Sequence, residues 1–528
     1  MEQAVEKNKT QPRKEFNAWV VYSVCLLVSL CFMFFFGLNS PLHTFNPHCD
    51  YQWFLTMGRG MAAGKVPYRD LFEQKGPIVF FVFMVASWFP NPQFVVWLIE
   101  VFCISLFLFF CYRIARKFLS PWVALAVLPF MMLVLSTNYV RGVEGSCVEE
   151  YCLPIFAYGF LCFMDFLLDR RPVTWQRSLA LGICFGILFW VKYSLLEFFL
   201  FPLLIWLVVN LVERQWRVVI RSCLIMLGGF LLVTVPVIIS FAVFGALDDL
   251  WRVYFVINIT HYDGNVQHGD VEQTYTPWGN LLRSSMLGGY YLIFMIWGLI
   301  CFAIHRWRQK SGWLMLIAVI PTWLMVGFLC GYPYYYIPLF TYAVIGVIYG
   351  LKFVVYTLNA VELIVKRRTA KVVWVMVVFV LSFFSALPFV TNLKEINRPR
   401  ENYAPLMVAD IIHEYNQTAE QPATLFCYLM ADCGFYNAAG VIPNVYYYAQ
   451  NCFTKANFPE MFDAFETTIS EKKCDFVVTY IDTYQRNRAF LDTYYQPYQG
   501  NLQNSILPFS AFEPGGYIRN QIVVLFRK

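Results

Sequence analysis

The sequence predicts a mainly α-helical, polytopic membrane protein: a bundle of about eleven transmembrane helices followed by a small extracytoplasmic α/β domain. Of its 528 residues, 59% are hydrophobic and 14% are charged, and the mean hydropathy is +0.53, a composition that soluble domains do not have. Eleven apolar runs approach or exceed the length that crosses a hydrocarbon core of roughly 30 Å. Beyond them, short apolar strands alternate with polar helices, which is typical of a small α/β fold.

The apolar runs are separated by short basic patches, which determine the predicted topology. The run at 77–89 is short and is broken from the next one by "PNPQ", so we expect a half-inserted or interfacial helix there. The basic N-terminus and the basic patches then all lie on the cytoplasmic side, as the positive-inside rule requires. The eleven runs are residues 17–37, 93–112, 118–137, 152–168, 178–191, 195–212, 218–244, 284–304, 312–330, 337–356 and 371–391.

This topology divides the chain into two parts and places four segments outside the plasma membrane. Residues 1–391 form the transmembrane module, with outer loops at 38–92, 138–151 and 246–283. Residues 392–528 form the extracytoplasmic domain, with strands expected near 424–429, 475–480 and 521–526 and a helix at 459–473. Because a net charge of +6 arises from patches beside apolar runs, nucleic acid is not an expected partner.

The first outer loop carries an unusual set of charged residues. Asp50 begins an amphipathic helix that ends near Gly64 and is expected to lie on the outer membrane surface. Lys75 stands directly before the short run at 77–89, where a lysine can reach a lipid phosphate. The residues alone leave two plainer interpretations open, a helix N-cap for Asp50 and an interfacial anchor for Lys75.

The segments "CDY" and "GKVPYRDLFEQKGP" of this loop resemble the type-C (GT-C) glycosyltransferases, in particular aminoarabinose transferases and protein O-mannosyltransferases. The resemblance implies an enzyme that takes a sugar from a polyprenyl-phosphate carrier, with Asp50 as catalytic base and Lys75 as a ligand of the carrier phosphate. Glu73 lies two residues before Lys75, whereas the closest relatives place this acid next to the lysine, so its role stays open. One carboxylate and one cation are enough for an inverting transfer, because the phosphate leaves as a stable anion.

The second outer loop, "NYVRGVEGSCVEEY", adds further acids. The resemblance implies an acidic residue here that binds the acceptor or a metal, and we favour Glu149 over Glu150. Glu144 fits a solvated turn, and Arg141 either binds the donor phosphate or balances the glutamates.

Lys192 lies between two apolar runs, where an ionisable residue indicates function by default. It is a second candidate for the donor phosphate, or an interfacial anchor beside the belt residues Trp190 and Tyr193, with Glu197 as its expected partner.

Two other features of the sequence are weaker indications of function. His261, Asp263, His268 and Asp270 match no standard metal spacing, and the resemblance instead implies that their loop covers the donor. The cluster "GYPYYYIP" (331–338) is expected to anchor a helix end in the aromatic belt. No cofactor is predicted with certainty, and the sequence leaves open whether a divalent metal takes part.

We therefore expect a polyprenyl-phosphate-sugar-dependent glycosyltransferase whose acceptor is an envelope glycan, lipid or protein. The main alternative is a lipid or polysaccharide transporter, or flippase. A transporter usually has charges deep in the membrane and related halves, whereas the charges here concentrate at one surface. A structural membrane protein whose C-terminal domain binds a partner is a third possibility.

Overall fold

The computed structural model describes residues 15–136, 147–170, 173–262, 266–268, 271–273, 276–287, 290–329, 333–360, 368–513 and 516–528. Helices dominate as far as residue 386, and the described residues of each of the eleven predicted apolar runs are mostly helical. The helices of this part are α1 (Ala18–Phe36), α2 (Cys49–Ala62), α3 (Pro77–Ser87), α4 (Pro92–Ala115), α5 (Pro121–Leu125), α6 (Val127–Ser136), α7 (Val148–Asp169), α8 (Trp175–Lys192), α9 (Glu197–Val212), α10 (Trp216–Val243), α11 (Leu247–Leu250), α12 (Asn258–Thr260), α13 (Pro277–Leu287), α14 (Tyr290–His305), α15 (Lys310–Leu329), α16 (Phe340–Ala360) and α17 (Arg368–Ala386).

The helices confirm a multi-pass membrane protein, although they leave the number of spans a prediction. Within the described residues, eight helical stretches are long and apolar enough to cross a membrane, and one of them joins α8 and α9 across a 3-10 turn. Three further apolar helices are shorter, at Pro77–Ser87, Pro121–Ser136 and Tyr291–His305. With 11 residues, α3 is only about 17 Å long, too short to cross the hydrocarbon core.

The helices differ in what surrounds them. In α7, 78% of the most apolar 18-residue stretch is buried within the protein. The corresponding share is 17% in α10 and in the helical stretch Val372–Phe389. A helix that is apolar all round and mostly uncovered in the protein is covered by lipid. Thus α7 lies at the centre of the bundle, and α10 and α17 lie at its periphery.

The last quarter of the chain folds around a small mixed sheet. Strand β4 pairs in parallel with β3 and antiparallel with β7, while β5 and β6 both pair antiparallel with β7. The strands are β3 (Leu425–Cys427), β4 (Phe476–Tyr480), β5 (Tyr495–Pro497), β6 (Ile506–Glu513) and β7 (Gly516–Arg527), after the short hairpin of β1 (Val266–His268) and β2 (Val271–Gln273) in the long outer loop. The helices of this C-terminal part are α18 (Ala404–Asn416), α19 (Phe435–Ala439), α20 (Pro459–Ser470), α21 (Ile481–Arg486), α22 (Arg488–Tyr494) and α23 (Leu502–Ser505).

This C-terminal part packs directly onto helix α2 of the first outer loop. Asp432 accepts a hydrogen bond from the Thr56 hydroxyl at 2.7 Å, and the Asn437 amide donates to both backbone and side-chain oxygens of Gln52. Arg59 donates in turn to Tyr436 O and to Asn437. These polar contacts fix the first loop between the membrane helices and the sheet.

Candidate functional site

Helix α2 is a buried element whose apolar face packs within the protein, so the prediction of a helix that rests this face on the membrane was wrong. Eleven of its 14 residues are buried, because α3 packs on one side and the C-terminal part covers another. Its end is as predicted: Gly64 has φ +88°, and Lys65 N–H donates to Gly60 O, which completes a Schellman motif.

Asp50 lies in the first turn of α2 and is not its N-cap. The cap is His48, whose Nδ1 accepts a hydrogen bond from Asp50 N–H at 3.2 Å. The interpretation of Asp50 as a cap is therefore wrong, because the capping contact is made by another side chain. Asp50 is only 5% exposed and lies at the end of α2 where the helix dipole is positive.

The segment from Glu73 to Lys75 is held by contacts from both sides. Glu73 accepts a hydrogen bond from Lys75 N–H at 3.1 Å and another from the Asn451 amide at 3.0 Å. The Tyr68 hydroxyl donates to Lys75 O. Asn451 belongs to the C-terminal part, so that part reaches the loop that carries the predicted phosphate ligand.

Burial and the neighbouring charges shift the pKa values of Lys75 and Glu73. Burial alone would lower the pKa of Lys75, but the carboxylates of Glu73 and Asp50, the Cys452 thiol and the Glu149 carboxylate together raise it above its ordinary value. Burial raises the pKa of Glu73, an effect that Lys75 partly offsets and Asp50 reinforces. Lys75 is therefore a cation throughout the physiological pH range, surrounded by acids from three segments.

Glycine at position 76 brings this loop against the end of α8. Gly76 N–H donates to Val191 O at 3.0 Å, and a Cβ at this position would lie 2.0 Å from Trp190 O. No side chain could be accommodated at this distance. The close approach places Lys75 beside the chain that leads into Lys192.

Lys192 forms an ion pair with Glu149, and not with the expected Glu197. The Lys192 ammonium lies 2.6 Å from Glu149 Oε1, and both side chains are almost completely buried. The same ammonium lies 3.4 Å from the ring centroid of Tyr335. The expected pairing failed because α7, which is remote in sequence, packs against the end of α8.

The belt interpretation was also wrong for Trp190, Tyr334 and Tyr336, whereas Tyr193 is only partly buried. Trp190 is 2% exposed and donates to the Thr234 hydroxyl, while Tyr334 and Tyr336 are buried within the bundle. The Tyr335 hydroxyl lies 3.3 Å from that of Tyr262, in the long outer loop. Through Tyr335, the aromatic cluster therefore connects the outer loop to Lys192.

The structure brings together Asp50, Glu73, Lys75, Glu149 and Lys192, which the sequence had placed in three separate segments. Glu150 is buried next to Glu149 at the start of α7. Arg141, Glu144, Asp263 and Asp270 lie outside the described residues, and no group of three or more His, Cys, Asp or Glu side chains in the described ranges is arranged to hold a metal.

The sequence did not point to Asn451 or the buried acid Glu100, and it gave Tyr335 no role beyond its place in the aromatic cluster. Glu100 carried a signal, since a glutamate inside a run as apolar as "VVWLIEVFCI" is itself unusual. Asn451 carried none, because an asparagine in a polar region is an ordinary residue, and Tyr335 stood among three other tyrosines in a cluster interpreted as a belt anchor.

Comparison with known proteins shows similarity in structure only. No family model and no curated protein matches the sequence. Among solved structures, ArnT from Cupriavidus metallidurans bound to undecaprenyl phosphate aligns over 96% of this chain and 98% of its own, with a TM-score of 0.59 and 13% identity. The archaeal oligosaccharyltransferase AglB from Archaeoglobus fulgidus, in complex with an inhibitory peptide and a dolichol-phosphate, aligns over 95% of this chain and 74% of its own, with a TM-score of 0.50 and 12% identity. The chain thus has the GT-C fold, the polytopic membrane fold of ArnT and AglB.

Proposed function

We propose that this protein is an integral-membrane glycosyltransferase that moves a sugar from a polyprenyl-phosphate donor to an extracytoplasmic acceptor, an envelope glycan, lipid or protein. The observation that carries the proposal is the convergence of Asp50, Glu73 and Lys75 with the Lys192–Glu149 ion pair. Two lysines among carboxylates, at the ends of α2, α3, α7 and α8, form a site with both a base and ligands for a phosphate.

Asp50 is the proposed general base. It would take the proton of the acceptor hydroxyl as that oxygen attacks C1 of the sugar, with inversion and through an oxocarbenium-like transition state. The bond from C1 to the phosphate oxygen breaks, and its electrons leave with the carrier phosphate. Lys75 and Lys192 would stabilise that developing charge, so no general acid is required.

The acids beside the lysines have separate proposed roles. Glu73 accepts from Lys75 N–H and from Asn451, so it would fix the orientation of Lys75. Glu149 pairs with Lys192, and a donor phosphate could replace Glu149 as the partner of that ammonium. Because the ion pair engages Glu149, Glu150 replaces the Glu149 favoured from the sequence as the candidate for acceptor binding. Arg141 stays a donor ligand on sequence grounds alone.

Two features support a polyprenyl carrier. The solved structures with this fold include one bound to undecaprenyl phosphate and one with a dolichol-phosphate. In this chain, an apolar cavity lies between α7, α8, α9 and α10, lined among others by Gly159, Phe185, Phe199 and Trp206. Gly159 is ten residues beyond Glu149, a rise of about 15 Å along α7, a suitable position for an isoprenoid chain whose phosphate is at Lys192.

The long outer loop is proposed to cover the donor. Tyr262 links this loop to Tyr335, whose ring lies over Lys192. The Asn258 amide donates to Gln74 O at 2.9 Å, so the same loop also touches the segment of Lys75. In the proposed orientation, with a cytoplasmic N-terminus in the plasma membrane, this cover faces the extracytoplasmic side.

The test is to incubate purified protein with a total polyprenyl-lipid extract of the source cells and candidate acceptors, following each polyprenyl-phosphate sugar by mass spectrometry. Asp50→Asn is the diagnostic variant, and Asp463→Asn, which changes an exposed acid on α20, is the matched control. We expect one lipid species to lose its sugar with the wild type and the control, and at least 100-fold slower loss with Asp50→Asn.

Full turnover by a folded Asp50→Asn would refute the assignment of the base. If no lipid species loses its sugar with any variant, but the protein moves a polyprenyl lipid between leaflets of a vesicle, the transporter alternative is correct and the proposal is wrong.

A further inference from the structure

Glu100 is a buried acid within the membrane bundle that the proposed chemistry does not use. It lies eight residues into α4, about 12 Å along the helix from its first residue, and is 2% exposed. An acid at this depth is costly unless it has partners, and apolar residues that pack equally well usually give greater stability. Its presence therefore requires a reason other than stability.

One oxygen of Glu100 holds two different segments. Glu100 Oε1 accepts a hydrogen bond from the Asn39 amide at 2.6 Å and another from the Tyr151 hydroxyl at 3.3 Å. Its other oxygen, Oε2, is buried without a hydrogen-bond partner among the described residues. A single acceptor thus joins the first outer loop to the start of α7.

From Asn39, the hydrogen bonds continue to the helix that carries Asp50. Asn39 Oδ1 accepts from the Asn46 amide at 2.8 Å, and Asn46 Oδ1 accepts from His48 N–H at 2.9 Å. His48 in turn caps α2 through Asp50 N–H. Each step is a direct contact, so the position of Asp50 depends on where Asn39 is held.

The second partner of Glu100 leads to the other half of the site. Tyr151 follows Glu149 and Glu150 in the first turn of α7. Glu149 holds Lys192. The same carboxyl oxygen therefore sets the distance between the segment of Asp50 and the segment of Glu149 and Lys192.

We propose that Glu100 is a positioning residue that holds Asp50 in register with the phosphate ligands on the opposite side of the site. The proposal rests on the proposed function, since it assigns Asp50 and Lys192 to one reaction. Glu100 touches no substrate and acts only through Asn39 and Tyr151. Misplacement of a reacting group by about 1 Å can cost 100-fold in rate.

The test compares two substitutions that differ only in whether the acceptor is kept. Glu100→Gln retains an acceptor oxygen for Asn39 and Tyr151, and its amide nitrogen takes the place of the unpartnered Oε2. Glu100→Met has similar length but no such acceptor. Ser105→Ala, on the same helix, removes a hydroxyl that contacts Phe102 O and the Tyr22 hydroxyl, away from the site.

We expect Glu100→Met to lower kcat at least 10-fold while the Kd for polyprenyl phosphate changes less than 3-fold. Glu100→Gln and Ser105→Ala should keep kcat within 3-fold of the wild type. Equal activity of Glu100→Met and the wild type would overturn the proposal. A loss of kcat in Glu100→Gln as large as that in Glu100→Met would also overturn the proposal. That result would mean that activity needs the carboxylate charge and not the acceptor oxygen.

Hydrogen exchange gives a second measurement that does not depend on turnover. Peptides that cover residues 39–56 should exchange faster in Glu100→Met than in the wild type, and at the wild-type rate in Glu100→Gln. If the wild type transfers no sugar, the proposed function fails, yet this exchange pattern still supports the positioning role. Unchanged exchange in Glu100→Met, or faster exchange over the whole chain, would overturn that role.

Discussion

The Lys192–Glu149 ion pair is the clearest residue-scale feature of the site, because each charge is buried and contacts the other at 2.6 Å. Removing one partner of such a pair leaves an uncompensated charge, which costs about 3–5 kcal/mol, whereas removing both often costs little. Lys192→Met should therefore lower the melting temperature clearly, and the double variant Lys192→Met/Glu149→Leu should recover most of that loss without recovering activity. Thermal unfolding in detergent measures the first effect and sugar release the second. If the double variant is no more stable than Lys192→Met, the two charges are not coupled as the structure implies.

Glu73 leads to a pH prediction at the same scale. Its carboxylate is the largest of the contributions that raise the pKa of Lys75, so Glu73→Gln should lower that pKa. Lys75 then loses its proton at a lower pH than in the wild type, and binding of polyprenyl phosphate should weaken at a correspondingly lower pH as the solution is made alkaline. Titration of polyprenyl-phosphate affinity against pH measures this difference. Asp463→Asn should reproduce the wild-type profile, and a Glu73→Gln profile identical to it would contradict the assigned coupling.

At the scale of elements, Asp432 fixes the C-terminal part on α2. Its carboxylate accepts from Thr56 and from the N–H groups of Gly434 and Phe435, yet burial outweighs these bonds and raises the pKa of Asp432 to about 6 from 3.8. The folded state therefore binds more protons than the unfolded state between these two values. Stability from this group is greatest below pH 3.8 and is lost as the pH rises towards 6, by at most about 3 kcal/mol.

Asp432→Asn should remove this loss, because an amide keeps the acceptor for the two N–H groups and carries no charge. The variant should melt at a higher temperature than the wild type at pH 7.5, and the difference should shrink as the pH approaches 4. Melting curves between pH 4 and 8 measure the effect, with Asp463→Asn as the control for an exposed acid. A difference that grows towards low pH would mean that the Asp432 charge stabilises the interface.

At the scale of the whole molecule, the proposed topology depends on α3 being too short to span the membrane and on the positive-inside rule. We expect the C-terminal part to be extracytoplasmic and the connection between α9 and α10 to be cytoplasmic. A cysteine at the exposed Thr467 (Thr467→Cys) should react with an impermeant maleimide in intact cells, and one at the exposed Gln215 (Gln215→Cys) only after permeabilisation. The wild type reports the background from the native cysteines. Labelling in the reverse order would invert the topology and place the site in the cytoplasm.

Much of this organisation follows from the sequence, because it rests on local patterns. Apolar runs predicted where the helices lie, and the strands near 425, 476 and 522 were expected from alternation with polar helices. The first-loop residues Asp50 and Lys75 were identified through their resemblance to GT-C enzymes, whose fold the structure confirms. The positions of the apolar helices and the end of α2 at Gly64 could be predicted without knowledge of contacts between remote segments.

The tertiary structure decided which charges meet. The partner of Lys192 is Glu149, 43 residues away, and not the nearby Glu197, because α7 packs beside the end of α8. Asn451 reaches Glu73 across 378 residues, and Glu100 joins Asn39 to Tyr151 within the bundle. Local sequence determines whether a segment is a helix and whether it enters the membrane, since those depend on neighbouring side chains. The geometry of the site depends on helix packing at close range, which is set by the shapes of segments far apart in the chain.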